Sequence, residues 1–176
     1  MTQYVALLRG VNVGGVNLKM AEVAAAFTAA GFTQVRTILA SGNVLLESSA
    51  SASTVRATAE AALRATFGYD AWVLAYDIDT VRAIVEAYPF EPEVPGYQSY
   101  VTFVANDAVL DELSALVSQA GSDEKISRGP DFAGAMYWQV AKGATLDSTM
   151  GKTMGKQRYK SSTTTRNLRT LIKVLG

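Results

Sequence analysis

Apolar positions change period several times along the chain, and each change marks an element. Tyr4 to Leu8 is a continuous apolar run; it is too short for a helix and fits a central strand. Gly10, Gly14 and Gly15 then loosen the backbone, with Asn12 and Asn17 as turn formers. From Met20 the apolar residues fall on one helical face, Met20, Val23, Ala24 and Phe27, and Gly31 closes the helix. Gln34 to Leu39 and Val44 to Glu47 read as two strands around the turn Ala40-Ser41-Gly42-Asn43, a hairpin signal. After the polar stretch Ser49 to Ser53, Val55, Ala59, Leu63 and Phe67 define a second helix, and Trp72 to Tyr76 a fourth strand. The order βαββαβ is that of the ferredoxin-like plait.

The second half repeats that order. Asp77 caps a helix with apolar positions at Val81, Ile84, Val85 and Tyr88. Pro89, Pro92, Pro95 and Gly96 form the proline-rich stretch, which reads as the boundary between halves. Strands follow at Ser99 to Ala105, Glu124 to Ser127 and Ala133 to Ala141, with a helix after Asn106 carrying Val109, Leu110, Leu113, Leu116 and Val117. Leu146 to Tyr159 is predicted helical, although Gly151 and Gly155 weaken it. Ser162 to Thr165 is a short last strand, and Leu168, Leu171, Ile172 and Leu175 mark a final helix. The fold class expected is α+β: two ferredoxin-like plaits in tandem, antiparallel sheets with helices on one face, plus a C-terminal helix. The units span 1–88 and 97–176.

Composition narrows the chemistry. Hydrophobic residues make up 49% of 176 residues, enough for a sizeable core. Cysteine and histidine are both absent, which removes thiol chemistry, the Ser-His triad and most zinc sites; no metal ligand set is predicted. No segment is long and apolar enough to span a membrane, and the opening residues lack the layout of a signal peptide, so the expected location is the cytoplasm. Formal charge is zero but uneven. Glu91, Glu93, Asp107, Asp111 and Glu112 crowd the middle, whereas Lys152, Lys156, Arg158, Lys160, Arg166, Arg169 and Lys173 follow Ser148 with no acid among them. The two regions either pair with each other or leave a basic tail for an anion.

Several stretches carry a further signal: Ala6-Leu-Leu-Arg-Gly-Val-Asn-Val-Gly-Gly15, Met20, Ser41-Gly-Asn-Val44 and Thr164-Thr-Arg-Asn167. In these the chain resembles a widespread bacterial family, the domain of unknown function numbered 1697. The resemblance implies two ferredoxin-like units and brings no catalytic residue with it. The chain differs from the family pattern in having Val16 in place of a basic residue and Leu168 in place of tryptophan.

Familiar phosphate motifs fail. A dinucleotide-binding Gly-x-Gly-x-x-Gly counted from Gly10 would need glycine at Asn12, and a P-loop ending at Gly151-Lys152-Thr153 would need it at Leu146. Two polar clusters remain as candidate ligand-binding residues. In a plait the turn between strands two and three lies where strand one ends, so Arg9, Asn12, Gly14 and Gly15 should meet Ser41 and Asn43 at one sheet edge. A guanidinium, amides, hydroxyls and free backbone N–H groups there suit phosphate or carboxylate; the plain alternative is two well-made turns packed together. The second cluster is Thr165, Arg166 and Asn167, read as the cap and first turn of the last helix, where a cation opposes the helix dipole and invites an anion. Tyr100 and Tyr137 are read as sharing a strand face opposite Phe103 and Trp138, which raises comparison with base-stacking RNA-binding sheets; the favoured reading has both pairs buried between the two units. The leading expectation is a protein binding a small anionic, nucleotide-like ligand. The alternatives are a nucleic-acid-binding module using the basic tail, or a homo-oligomerising scaffold without ligand. No cofactor and no catalytic role is assigned.

Overall fold

The computed structural model describes residues 1–12 and 16–176. The chain forms two compact units, Met1–Val81 with Lys173–Gly176, and Arg82–Ile172. In the first, β1 (Thr2–Leu8), α1 (Met20–Ala29), β2 (Thr33–Ile38), β3 (Asn43–Ser48), α2 (Ala52–Phe67) and β4 (Val73–Asp77) follow in sequence. The strands make one sheet in the order β2-β3-β1-β4, with every neighbouring pair antiparallel.

Register decides which side chains meet. Tyr4 stands opposite Leu46, Ala6 opposite Val44 and Ala75, and Leu8 opposite Val73. This face packs on Val23 and Phe27 of α1 and on Val55, Ala59 and Leu63 of α2, each large side chain gaining about 1.5–3 kcal/mol from burial. Val5, Leu7, Leu45 and Leu74, on the alternate parity, are buried too. Burial on both parities explains why Tyr4 to Leu8 shows no polar alternation. Ser51 caps α2 by accepting from the Thr54 N–H, and Gly68 ends it in the left-handed conformation.

Asp77 caps α3 (Ile78–Glu86), accepting from the Thr80 N–H at 2.8 Å. The division between units falls inside this helix, earlier than the proline-rich stretch. The segment 89–96 is bonded into the second unit: Ser99 Oγ donates to Pro92 O at 3.0 Å and Gln139 Nε2 to Glu91 O at 2.8 Å.

The second unit runs β5 (Tyr97–Val104), α4 (Asp107–Ser114), β6 (Glu124–Arg128), β7 (Ala135–Ala141), α5 (Thr149–Met154), β8 (Thr163–Asn167) and the start of α6 (Leu168–Leu175), whose residues from Lys173 onward belong to the first unit. Its sheet has the order β6-β7-β5-β8, again antiparallel throughout. Its core joins Val104, Met136, Trp138 and Val140 to Leu110 and Leu113 of α4 and Met150 and Met154 of α5. The protein is therefore α+β, with two four-stranded antiparallel sheets of matching strand order.

Two sequence expectations are corrected here. The predicted helix from Leu146 to Tyr159 is confined to α5, six residues long, followed by a short 3-10 turn at Gln157–Tyr159. A side-chain carbon at Gly151 would stand 1.7 Å from Thr145 O, so a close backbone approach fixes the glycine and the bend. The aromatic parity is also different. Tyr100 pairs with Trp138, and their rings stack at 4.4 Å, while Tyr137 pairs with Val101. Tyr137 is buried and its hydroxyl donates to Ile84 O, so Tyr100 and Tyr137 share no exposed stacking face.

Candidate ligand-binding site

The end of β1 is held on both sides. Leu8 N–H donates to Gly42 O at 2.8 Å and Arg9 N–H to Trp72 O at 2.9 Å. The chain then turns sharply: Gly10 and Asn12 both adopt positive φ, 69° and 55°. Asparagine tolerates that region better than most residues, and here its side chain is fully used. Asn12 Nδ2 donates to Ala40 O at 2.6 Å and Leu18 O at 3.1 Å, and its Oδ1 accepts from Leu18 N–H at 2.9 Å. Asn12 thus clamps both ends of the glycine-rich loop to the β2–β3 turn.

The turn answers in kind. Asn43 is buried, and its Nδ2 donates to Ile38 O and Ser41 Oγ, both at 2.9 Å. Gly42 has φ of 89°, and a side-chain carbon there would lie 2.6 Å from Val11 and 2.8 Å from Leu8. Loop and turn interlock at van der Waals distance, and only glycine fits between them. The structure therefore brings together Asn12, Ser41 and Asn43 at the end of β1, where Arg9 also stands. Asn12 and Asn43 brace the backbone; their polar atoms face other parts of the chain. Gly14 and Gly15 lie outside the described residues.

Arg9 directly follows the end of β1. It is partly buried, and loss of hydration pulls its guanidinium below the ordinary arginine value. A second guanidinium stands at this end of the sheet. Arg64, from the last turn of α2, lies over the Trp72 ring at 4.7 Å and donates to Ala71 O at 2.7 and 3.1 Å. Sequence reasoning missed Arg64 and Trp72. The signal available was a basic residue in the last turn of a helix, eight positions before a tryptophan that opens a strand.

The Thr165, Arg166 and Asn167 cluster is rearranged. Thr165 and Arg166 belong to β8, not to a helix, so the expected clash between Arg166 and a helix dipole does not exist. Alternation along the strand sends them to opposite faces. Thr165 Oγ1 meets Thr102 Oγ1 at 2.7 Å, and Thr102 Oγ1 accepts from Trp138 Nε1 at 3.0 Å. Arg166 is 6% exposed and donates through Nη1 to Thr164 Oγ1 at 2.8 Å and Thr165 O at 2.9 Å. Asn167 serves as the cap: its Oδ1 accepts from Arg169 N–H at 2.9 Å at the start of α6. Among the described residues no three His, Cys, Asp or Glu side chains gather as a metal site, and no helix is long and apolar enough to cross a membrane.

Residues 1–132 match the family described as "Protein of unknown function (DUF1697)". The chain belongs to the DUF1697 family. The match holds Arg9, Asn12, Ser41 and Asn43 and ends before β7, so Thr165, Arg166 and Asn167 lie beyond it. This DUF1697 member is also similar to a solved structure, that of the conserved bacterial protein SP0830 from Streptococcus pneumoniae. The two share 22% identity at a TM-score of 0.77, over 99% of this chain and 97% of that one. At that identity the likeness shows a shared fold. No curated protein matches the chain.

Proposed function

We propose that this protein binds a small anionic ligand, phosphate- or carboxylate-bearing and nucleotide-like, at the end of β1, with Arg9 as the charge that receives it. In this reading each unit is a ferredoxin-like plait, and the protein works in the bacterial cytoplasm. The observation that carries the proposal is the position of Arg9. Arg9 is partly buried and directly follows the end of β1, the strand end at which Asn12 ties the chain to Ala40 and Gly42 packs against Leu8 and Val11. A cation that has lost hydration interacts more strongly with an anion than a solvated one does. The rigid frame around it lowers the ordering cost of binding. Asn12 and Asn43 are positioning residues that hold loop and turn in register.

A thermal-shift screen of the full chain against nucleotides, sugar phosphates and small carboxylates tests the reading. A ligand at about one hundred times its Kd adds about 2.7 kcal/mol, which for a chain of this size is a rise of roughly 5–10 °C in Tm. Arg9→Gln should remove that rise. A screen without any shift, or an Arg9→Gln variant that keeps it, overturns the proposal.

A further inference from the structure

A separate hollow of about 220 Å³ opens in the second unit at the start of α6. Lys142, Arg169, Gln98, Asn167, Leu168 and Ile172 are among its lining residues. Its hydrogen-bonding capacity is lopsided. Gln98 Oε1 accepts from the Tyr100 hydroxyl and Asn167 Oδ1 from Arg169 N–H. Each amide oxygen thereby already has a partner within the fold. Neither side-chain NH2 has a partner among the described residues, and an NH2 group can only donate.

The charges are lopsided as well. The Arg169 guanidinium is taken by Glu93, with Nε to Oε1 at 3.0 Å and Nη2 to Oε2 at 2.6 Å. Arg169 and then Lys142 hold the Glu93 carboxyl below its usual range. Two cations against one carboxylate leave a single positive charge, and Lys142 carries it. Leu168 and Ile172 give one wall an apolar surface, and Ile172 is exposed with nothing polar of its own to offer.

We infer that this hollow is a binding site for a small organic monocarboxylate with a short apolar body. One negative charge balances the site, whereas a phosphomonoester brings close to two at neutral pH. The carboxylate takes Lys142 and the two amide NH2 groups, and the apolar body lies against Leu168 and Ile172. The volume is below that of sites for drug-sized ligands, so the occupant is fragment-sized and binds in about the millimolar range. The site is distinct from the Arg9 cluster and does not depend on the reading given for it.

The test is a titration of the isotope-labelled full chain with sodium benzoate, followed by amide NMR. Sodium phosphate and sodium chloride at equal ionic strength serve as the comparison arms. Saturable shifts are expected at Lys142, Leu168 and the side-chain NH2 groups of Gln98 and Asn167 with benzoate alone. Lys142→Glu, at an exposed position, should weaken binding by about tenfold or more. Asn167→Asp keeps the helix cap but replaces a donor with a negative charge, and should do the same. The shifts at Lys142, Leu168, Gln98 and Asn167 are read separately from any around Arg9, which separates failure of this site from failure of the other. Shifts that do not saturate, binding unaffected by Lys142→Glu, or tighter binding of phosphate at the same signals would each overturn the inference.

Discussion

At the scale of single residues, polar groups in this protein are set by what surrounds them, and Tyr137 shows how that becomes measurable. Its ring is buried, its hydroxyl donates to Ile84 O, and burial pushes its pKa up to about 12. An unfolded tyrosine ionises near 10. The folded state therefore favours the neutral form: the stability this provides is complete below about pH 10 and is lost as pH rises towards about 12. Tyr137→Phe should cost about 1 kcal/mol at neutral pH from the unmatched carbonyl. Between pH 9 and 11.5 it should lose about 2 kcal/mol less than the wild type. Urea denaturation at the two pH values checks this; parallel losses in both proteins would show that Tyr137 does not ionise on unfolding. Arg166 makes the same point about legibility. The sequence Thr164-Thr165-Arg166-Asn167 shows an arginine beside hydroxyls, and these residues do meet, but one as a strand neighbour and one through its backbone. Reading them as a helix start hid that alternation, because the true cap is Asn167, two positions further on than expected.

Elements were legible where packing and period agree and illegible where a tertiary contact overrides propensity. β1 and α2 follow from their apolar patterns because one face of each must enter a core. The β2–β3 turn follows from Ser41-Gly42-Asn43, since φ of 89° at Gly42 demands glycine. The interlock of Gly42 with Val11 was beyond reach of local sequence, because the partners lie some thirty positions apart. α5 is the clearest failure. Its sequence, with Lys152, Met154 and Lys156, favours a longer helix, yet the 145–148 segment crosses so close that Gly151 has no room for a side chain. Propensity alone says that Gly151→Ala stabilises by about 1 kcal/mol. The contact with Thr145 O predicts the opposite, a loss of about 1–3 kcal/mol as backbone shifts to admit the methyl group. Gly155→Ala, whose nearest atoms would lie at 3.5 and 3.7 Å, should be neutral or slightly stabilising. Chemical denaturation of the two variants separates the arguments, and a stabilised Gly151→Ala would show that the helix, not the crossing segment, sets the local geometry.

For the molecule as a whole, the decisive quantity is how its charges are spent. A net charge of zero conceals an acidic middle and a basic tail, and the fold joins them. Glu93 holds Arg169, Glu112 holds Arg158, and Asp111 holds Arg128. Against its partial desolvation, the Glu124 carboxyl is held below its usual range by hydrogen bonds from Thr149 and the Gly121 N–H, with a smaller contribution from the nearby Lys152 charge. The three arginine–carboxylate pairs are largely exposed and screened by solvent, so each contributes little to stability; their larger effect is on binding. Arg166 is buried and Lys152 stands near the Glu124 carboxylate, which leaves Lys156, Lys160 and Lys173 as the remaining tail cations without an ion pair among the described residues. A nucleic-acid-binding protein using this tail would neutralise at most about three phosphates, and each contributes a salt slope of about −0.7 on a single strand. Fluorescence anisotropy with a labelled single-stranded oligonucleotide should therefore give a slope of log K against log salt no steeper than about −2. The Kd should fall in the non-specific range, roughly micromolar or weaker. The absence of an exposed Tyr100/Tyr137 face points the same way, since stacking would have to supply what charge does not. A slope near about −3.5 with tight binding would mean that the Arg158 and Arg169 pairs open to phosphates, and would restore the nucleic-acid reading over the small-anion one.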